Sequence, residues 1–298
     1  MKITISGASG LIGRRLLKTL AAEGHTLQVL SRHAGTNMPG NIRVFPWDPA
    51  KSEPPAEALR DMDAVVHLAG EPVAQRWNDE VKRRIRESRV AGTTNLVNAL
   101  AKLPQRPKTL VCASAIGYYG SRGDELLTEA SEPGSDYLAG VCVEWEKAAQ
   151  TAEAFGVRVV RVRTGVLLDA KGGALAKMLP PFKMGVGGKV GSGSQWMSWI
   201  HAEDLAGIFR WALAGPVSGP VNGVAPNPVT NADFTKALAS TLKRPALFPV
   251  PAFGLKVLFG EMSEVLLGSQ RVAPKAAEAG GYRFRFPEVG AALADALR

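Results

Sequence analysis

Tyr137 stands in the stretch SDYLAGVCVEWEKAA, residues 135–149, at the head of what reads as a helix, with Val141 one turn further on. A phenol has a pKa near 10, so at neutral pH it holds its proton and can donate it to a reacting oxygen. To act as a base it needs a cation beside it. Four residues along the helix, on the same face, stands Val141, which supplies none. Lys147 cannot stand in, because ten residues along a helix is about 15 Å. Three lost units of pKa tuning correspond to roughly 4 kcal/mol against the phenolate. Reduction of a carbonyl therefore survives this arrangement better than oxidation of an alcohol. Packing is the other role open to Tyr137, and the residue types leave both standing.

A second constellation sits at the start of the chain. KITISGASGLIGRRLLKTL places Gly7, Gly10 and Gly13 between a strand and a helix. Gly7 permits the tight turn, Gly10 lets the backbone approach a pyrophosphate, and Gly13 allows close packing of helix on strand. Ser9, Leu11 and Ile12 complete the turn into the helix, whose N-terminus faces the phosphate charge. The next strand ends in Leu30-Ser31-Arg32-His33, with no acid to bind a ribose 2′-hydroxyl. A guanidinium and a hydroxyl suit a 2′-phosphate, which points to NADP(H) as the cofactor.

These residues need a scaffold, and the hydrophobic pattern supplies one. Apolar runs at 2–6, 26–31, 42–47, 64–69, 109–114 and 157–162 read as strands covered on both faces. Between them, Leu11, Ile12, Leu16, Leu17 and Leu20 mark one helix face, and Leu96, Val97, Leu100 and Leu103 another. The alternation predicts an α/β fold, a Rossmann-like doubly wound parallel sheet. After residue 165 the chain changes character. Residues 178–195 are glycine-rich and read as an irregular flap. WIHAEDLAGIFRWAL reads as a strand end passing into a helix with Asp204 as N-cap or first-turn acid. The remainder reads as short helices with one strand around YRFRF. We expect a dinucleotide-binding domain over 1–225, with a flap at about 170–198, and a smaller C-terminal substrate lobe over 226–298.

The bulk properties narrow the partners. The net charge is +9, but no basic run is interleaved with aromatics, and the densest, KRRIRESR at 82–89, reads as a mostly solvated helix face. Nucleic acid is not expected, and an anionic small molecule is the more economical use of the charge. No apolar run approaches the roughly 18 residues of a membrane span, so no membrane partner is expected. Cys112 and Cys142 sit in apolar contexts, which suits two buried thiols and a cytoplasmic protein. His25, His33, His67 and His201 show no ligand spacing, so no metal site is expected. His67 and His201 read as structural. No serine lies in a nucleophile-elbow pattern. Lys177, Lys183 and Lys189 flank the flap and are candidates for an anionic substrate group. Oligomeric state is not readable.

The motifs GASGLIG, HLAG at 67–70, AGTTNLVNAL, SAIGYYG, RTGVLL and WIHAEDLA occur in one order along the chain. In that order they resemble the extended short-chain dehydrogenases/reductases of the NAD-dependent epimerase/dehydratase superfamily. HLAGEPVAQRW and the C-terminal extension look like its atypical epimerase family group. The resemblance implies a Rossmann domain with a substrate lobe and NADPH as cofactor. It also implies that Leu68, Ala69, Gly70, Glu71 and Arg76 lie near the cofactor and Asp48 near the adenine. Of the superfamily's four catalytic positions, the Asn falls on Arg89, the Ser/Thr on Ala115 and the Lys on Val141, while Tyr137 is kept. A one-residue shift would bring Ser114 into the Ser/Thr role, and an inward Arg89 would partly replace the lost charge. Two functions remain open: an NADP(H)-dependent oxidoreductase or epimerase-like enzyme, and a non-catalytic NADPH-binding regulator.

Overall fold

A computed structural model describes residues 1–32 and 42–298, so His33 lies outside the described residues. The first half runs β1 (Lys2–Ser6), α1 (Leu11–Ala22), β2 (Thr26–Ser31), β3 (Arg43–Pro46), β4 (Ala64–His67), α2 (Asp79–Ala101) and β5 (Thr109–Ala115). There follow β6 (Leu126–Leu127), α3 (Tyr137–Gln150), β7 (Arg158–Thr164), β8 (Val166–Leu168), α4 (Gly173–Lys183), β9 (Trp196–Met197), β10 (Trp199–His201) and α5 (Ala202–Ala214). The chain ends with β11 (Gly219–Gly223), β12 (Val229–Thr230), α6 (Asn231–Leu242), α7 (Ala252–Phe259), α8 (Ser263–Leu267), β13 (Arg271–Val272), α9 (Lys275–Ala279) and α10 (Val289–Ala296).

Seven parallel strands form the central sheet in the order β11-β7-β5-β4-β1-β2-β3. The chain runs outward from β1 to β3, returns to β4 beside β1, and then runs outward the other way. This is the doubly wound Rossmann arrangement that the alternating pattern predicts, with its reversal between β1 and β4. The seventh strand, β11, was not legible. Its sequence GPVNG reads as a turn, and it forms a strand because it lies at the sheet edge, where a proline's missing N–H is tolerated.

Each face of the sheet carries its own core. Leu16, Leu17 and Leu20 of α1 join Leu205, Ile208 and Phe209 of α5 on one side. Leu96, Val97 and Leu100 of α2 join Trp145 and Ala149 of α3 on the other. A third core builds the smaller lobe. It joins Leu175, Leu179 and Phe182 of α4 to Phe234 and Leu238 of α6 and to Leu293 of α10. That lobe therefore draws on residues from both sides of position 225.

Two expectations are corrected and a third is narrowed to one of its two alternatives. The start of the glycine-rich stretch is helical: α4 continues through Pro180 and Pro181 to Lys183. Burial of Leu175, Leu179 and Phe182 at helical spacing outweighs the poor propensity of proline in its last turns. YRFRF is not a strand. The backbone N–H groups of Arg285 and Phe286 donate to the buried Asp204 carboxylate at 2.8 and 2.9 Å, so no neighbouring strand receives them. The N-cap of α5 is His201, whose Nδ1 accepts from Glu203 N at 3.2 Å, and Asp204 serves as a buried first-turn acid. Among the described residues, no helix is long and apolar enough to cross a membrane.

Candidate functional site

Where β1 and β4 diverge, their C-terminal ends and those of β2 and β3 leave a cleft of about 410 Å³. Gly7 turns the chain out of β1 at a φ of 70°, and a β-carbon there would come within 2.7 Å of the Leu68 carbonyl carbon. Gly13 lets α1 pack directly on this turn, since a β-carbon would lie 2.4 Å from the Gly7 oxygen. Gly10 is the N-cap of α1. It offers no side-chain cap, and the first turn contains no acid. The N–H groups of that turn and the positive end of the helix thus face the cleft with no carboxylate from the helix's own first turn against them.

The structure brings most of the sequence-nominated residues together here. Gly7, Ser9 and Gly10, Ser31 and Arg32, Asp48, and Leu68 to Glu71 all line the cleft. Leu11 and Ile12 stand behind it in the first turn of α1, with the Leu11 side chain against Gly172. Asp48 caps its own turn, accepting from Ala50 N at 3.2 Å and pairing with Lys51 at 3.3 Å. Arg76 is exposed and does not line the cleft, so the structure does not join it to this group. The three flap lysines do not converge either. Lys177 donates to the Ala74 carbonyl, Lys183 is exposed, and Lys189 lines a separate surface cleft.

Residues from α2 complete the wall, and sequence reasoning missed them. Arg84, Glu87 and Ser88 line the cleft one helical turn apart, within the run that reads as a solvated face. Their spacing is visible in the sequence, but only the packing of α2 beside the Leu68–Glu71 segment gives it meaning. Ser88 Oγ holds that segment by accepting from Glu71 N at 3.0 Å.

Arg89 turns inward. Its guanidinium lies against Gly70, where a β-carbon would come within 3.3 Å of Cζ. It sits over the Trp145 ring at 5.2 Å and donates to the Glu71 and Ile85 carbonyls at 3.0 and 3.2 Å. No described carboxylate pairs with it. Burial, the largest influence, holds this guanidinium below the ordinary arginine range, while Cys142, Tyr137 and Glu71 pull the other way.

Tyr137 opens α3, capped by Asp136, whose Oδ1 accepts from Ala139 N at 2.9 Å. Its ring meets Trp77 edge-on at 5.6 Å, with Lys82 Nζ 5.1 Å above it, and its hydroxyl donates to the Lys82 carbonyl of α2. Burial raises the phenol above its ordinary range, and Lys82, Arg89 and Arg86 oppose that rise. The group is therefore protonated at neutral pH. Val141 is buried in the packing of α3.

Ser114 is not brought to Tyr137. Its hydroxyl is buried and donates to Glu146 Oε1 at 2.7 Å. Glu146 in turn holds Arg163 by two bonds of 2.7 and 2.8 Å, with both side chains 4% exposed. Arg163 also donates to the Tyr119 hydroxyl at 2.9 Å, and Tyr119 donates to Asn222 at 2.7 Å. In this structure the buried network holds the Ser114 hydroxyl. His67 is equally structural: fully buried, with Nδ1 2.6 Å from Ser6 Oγ, and pushed down to about 4 by burial. Cys112 and Cys142 are both buried free thiols.

Residues 3–225 match the model of the NAD dependent epimerase/dehydratase family. The chain belongs to that family. Residues 250–296 match a domain of unknown function, DUF1731. The chain is 41% identical to the epimerase family protein SDR39U1 homolog, chloroplastic, of Arabidopsis thaliana, covering 98% of this chain and 86% of the relative. It is 38% identical to the epimerase family protein YfhF of Bacillus subtilis, covering 100% and 98%. Among solved structures, the human epimerase family protein SDR39U1 (isoform 2), crystallised with NADPH, superposes with a TM-score of 0.88 at 37% identity. The match covers 99% of this chain and 98% of that one.

Proposed function

We propose that this protein is an NADPH-dependent reductase of a small carbonyl compound. The observation that carries the reading is the cleft itself. Ser31 and Arg32 stand at the end of β2, where the sequence from 30 to 33 holds no acid, and the N-terminal end of α1 borders the same cleft. A cradle of N–H groups suits a pyrophosphate, and a guanidinium with a hydroxyl suits a 2′-phosphate. NADPH, as crystallised with human SDR39U1, has both groups. When bound it supplies a hydride; this chain supplies the rest. Arg32 and Ser31 would hold the 2′-phosphate, and Asp48 with Trp47 would border the adenine. The N–H groups of residues 9–12 would take the pyrophosphate, with Leu68 to Glu71 as the facing wall.

Tyr137 would give its proton to the reduced oxygen, a role its protonated state suits. The Lys82 carbonyl holds the phenol until a substrate oxygen competes for it. Arg89, a guanidinium without a carboxylate partner, supports the cationic role that Val141 cannot fill. Two free thiols support a reducing compartment, the cytoplasm. The partner is a small molecule.

A second reading is favoured by the same bonds. With the Tyr137 hydroxyl donated to a backbone carbonyl and Ser114 claimed by Glu146, the protein would bind NADPH and report its presence without turnover. NADPH consumption with a panel of carbonyl compounds separates the two. On the first reading Tyr137→Phe leaves NADPH affinity nearly unchanged and lowers turnover by about 10²–10⁴-fold. Full turnover in Tyr137→Phe overturns the assignment of the tyrosine. Tight NADPH binding with no turnover across the panel replaces the first reading with the second.

A further inference from the structure

The positive charge of this chain is not spread evenly. Residues 170–202 contain four lysines and no acid, and residues 234–260 contain Lys236, Lys243, Arg244 and Lys256 and no acid. Together they hold eight of the nine excess charges. The fold lays these two stretches side by side. Val190 bridges to Val250, Gly191 N donates to the Val250 carbonyl at 2.9 Å, and Val250 N donates to the Lys189 carbonyl at 2.8 Å. Lys189, Lys236 and Arg244 converge on one surface cleft, about 490 Å³ in volume, and no described carboxylate pairs with any of them.

The same two stretches carry most of the large apolar side chains left in solvent. Met184 is 70% exposed, Leu247 75% and Phe253 76%, and Val186, Phe248 and Val257 lie among them. Gly185 lies next to Pro245, and Phe248 N donates to the Gly187 carbonyl, so the tip at 184–187 and the loop at 245–249 touch. From that loop the chain runs directly into α7, whose Phe253 and Val257 are one turn apart and both exposed. Protruding apolar side chains beside cations that no described carboxylate pairs with have the character of an interaction surface.

We propose that this face docks on an anionic lipid bilayer, inserting the apolar side chains among the headgroups while the cations meet the lipid charge. Charge complementarity selects an anionic partner. A second copy of this chain, carrying the same cations, would be repelled. The choice of cation then favours lipid over an acidic protein. Two of the three cations on the cleft are lysine, which protein interfaces deplete in favour of arginine, whereas attraction to a charged bilayer needs only charge near the surface. The contact is peripheral, and it replaces the expectation that the excess charge serves a small anionic ligand.

The test is co-sedimentation of the full chain with vesicles of phosphatidylcholine alone or of phosphatidylcholine with phosphatidylglycerol, at low and high salt. Binding is expected only to the anionic vesicles and should weaken with salt. The pair Lys236→Glu and Arg244→Glu should weaken it by about tenfold or more. The pair Leu247→Ser and Phe248→Ser should weaken it at both salt concentrations, and both double variants should bind NADPH like the parent. No preference for anionic vesicles overturns the proposal, as does binding that neither double variant changes. Polyglutamate and self-association, followed by sedimentation velocity, supply the remaining outcomes. Capture of polyglutamate without vesicle binding assigns the face to an acidic protein. A dimer dissolved by Leu247→Ser and Phe248→Ser, without vesicle binding, assigns it to a second copy. Either result overturns the lipid assignment.

Discussion

At the scale of single residues, on the proposed reading Tyr137 is the acid and Arg89 takes the cation's place. The valine at position 141 removes the lysine that would tune Tyr137, and Arg89 approaches from α2 instead, held by two carbonyls and the Trp145 face. A partly buried guanidinium that no described carboxylate pairs with directly is an unfavourable arrangement unless an anion arrives. Arg89→Met is therefore expected to weaken NADPH binding about tenfold or more, with Arg89→Lys recovering part of the loss, as titration calorimetry would show. Unchanged affinity in Arg89→Met would mean that the guanidinium only braces the Gly70 segment. The sequence marked Arg89 as a departure but could not orient it, because direction depends on how α2 packs. The bond from Ser114 to Glu146 was out of reach for a similar reason. One residue's shift in a strand reverses the face a side chain points to, and the partner that holds this one, Glu146, is 32 residues away.

At the scale of elements, what could be read was what local chemistry dictates. The turn at Gly7, the start of α1, and the strands with continuous apolar runs all follow from short-range rules, and so did most of the cleft. The elements that escaped are those decided by distant contacts: β11 at the sheet edge, α4 continuing through its prolines, and YRFRF bound to Asp204. The Glu146–Arg163 pair belongs with them. It ties α3 to β7 and, through Ser114, to β5, beneath the loop that carries Tyr118 and Tyr119. Arg163→Met leaves the buried Glu146 carboxylate with only the Ser114 hydroxyl to meet it, and should cost about 3–5 kcal/mol of stability. Replacing both partners by methionine should recover much of that, since an apolar pair has no uncompensated charge. Equal losses in the single and double variants, measured by denaturant unfolding, would contradict this account of the pair.

At the scale of the whole molecule, two properties follow from what is buried and what is not. His67 is fully buried and held neutral, with its protonation pushed down to about 4 from an ordinary 6.5. The unfolded chain takes up this proton as pH falls through 6.5, and the folded chain does not until about 4. Stability present above pH 6.5 is thus lost on acidification, by about 3 kcal/mol across that window for this group. His67→Asn should show a correspondingly shallower fall in unfolding free energy, and an identical fall would remove His67 as the cause. The other property is the cleft at the reversal of the sheet, where on the proposed reading the charges at the ends of β2 and α1 would select the cofactor. Calorimetric titration with NADPH and NADH, for the parent and for Arg32→Glu, tests this most directly. The parent should bind NADPH well ahead of NADH, and Arg32→Glu should reverse the order by repelling the 2′-phosphate and accepting from a free 2′-hydroxyl. Comparable affinities for the two cofactors in the parent would contradict the assignment of Ser31 and Arg32.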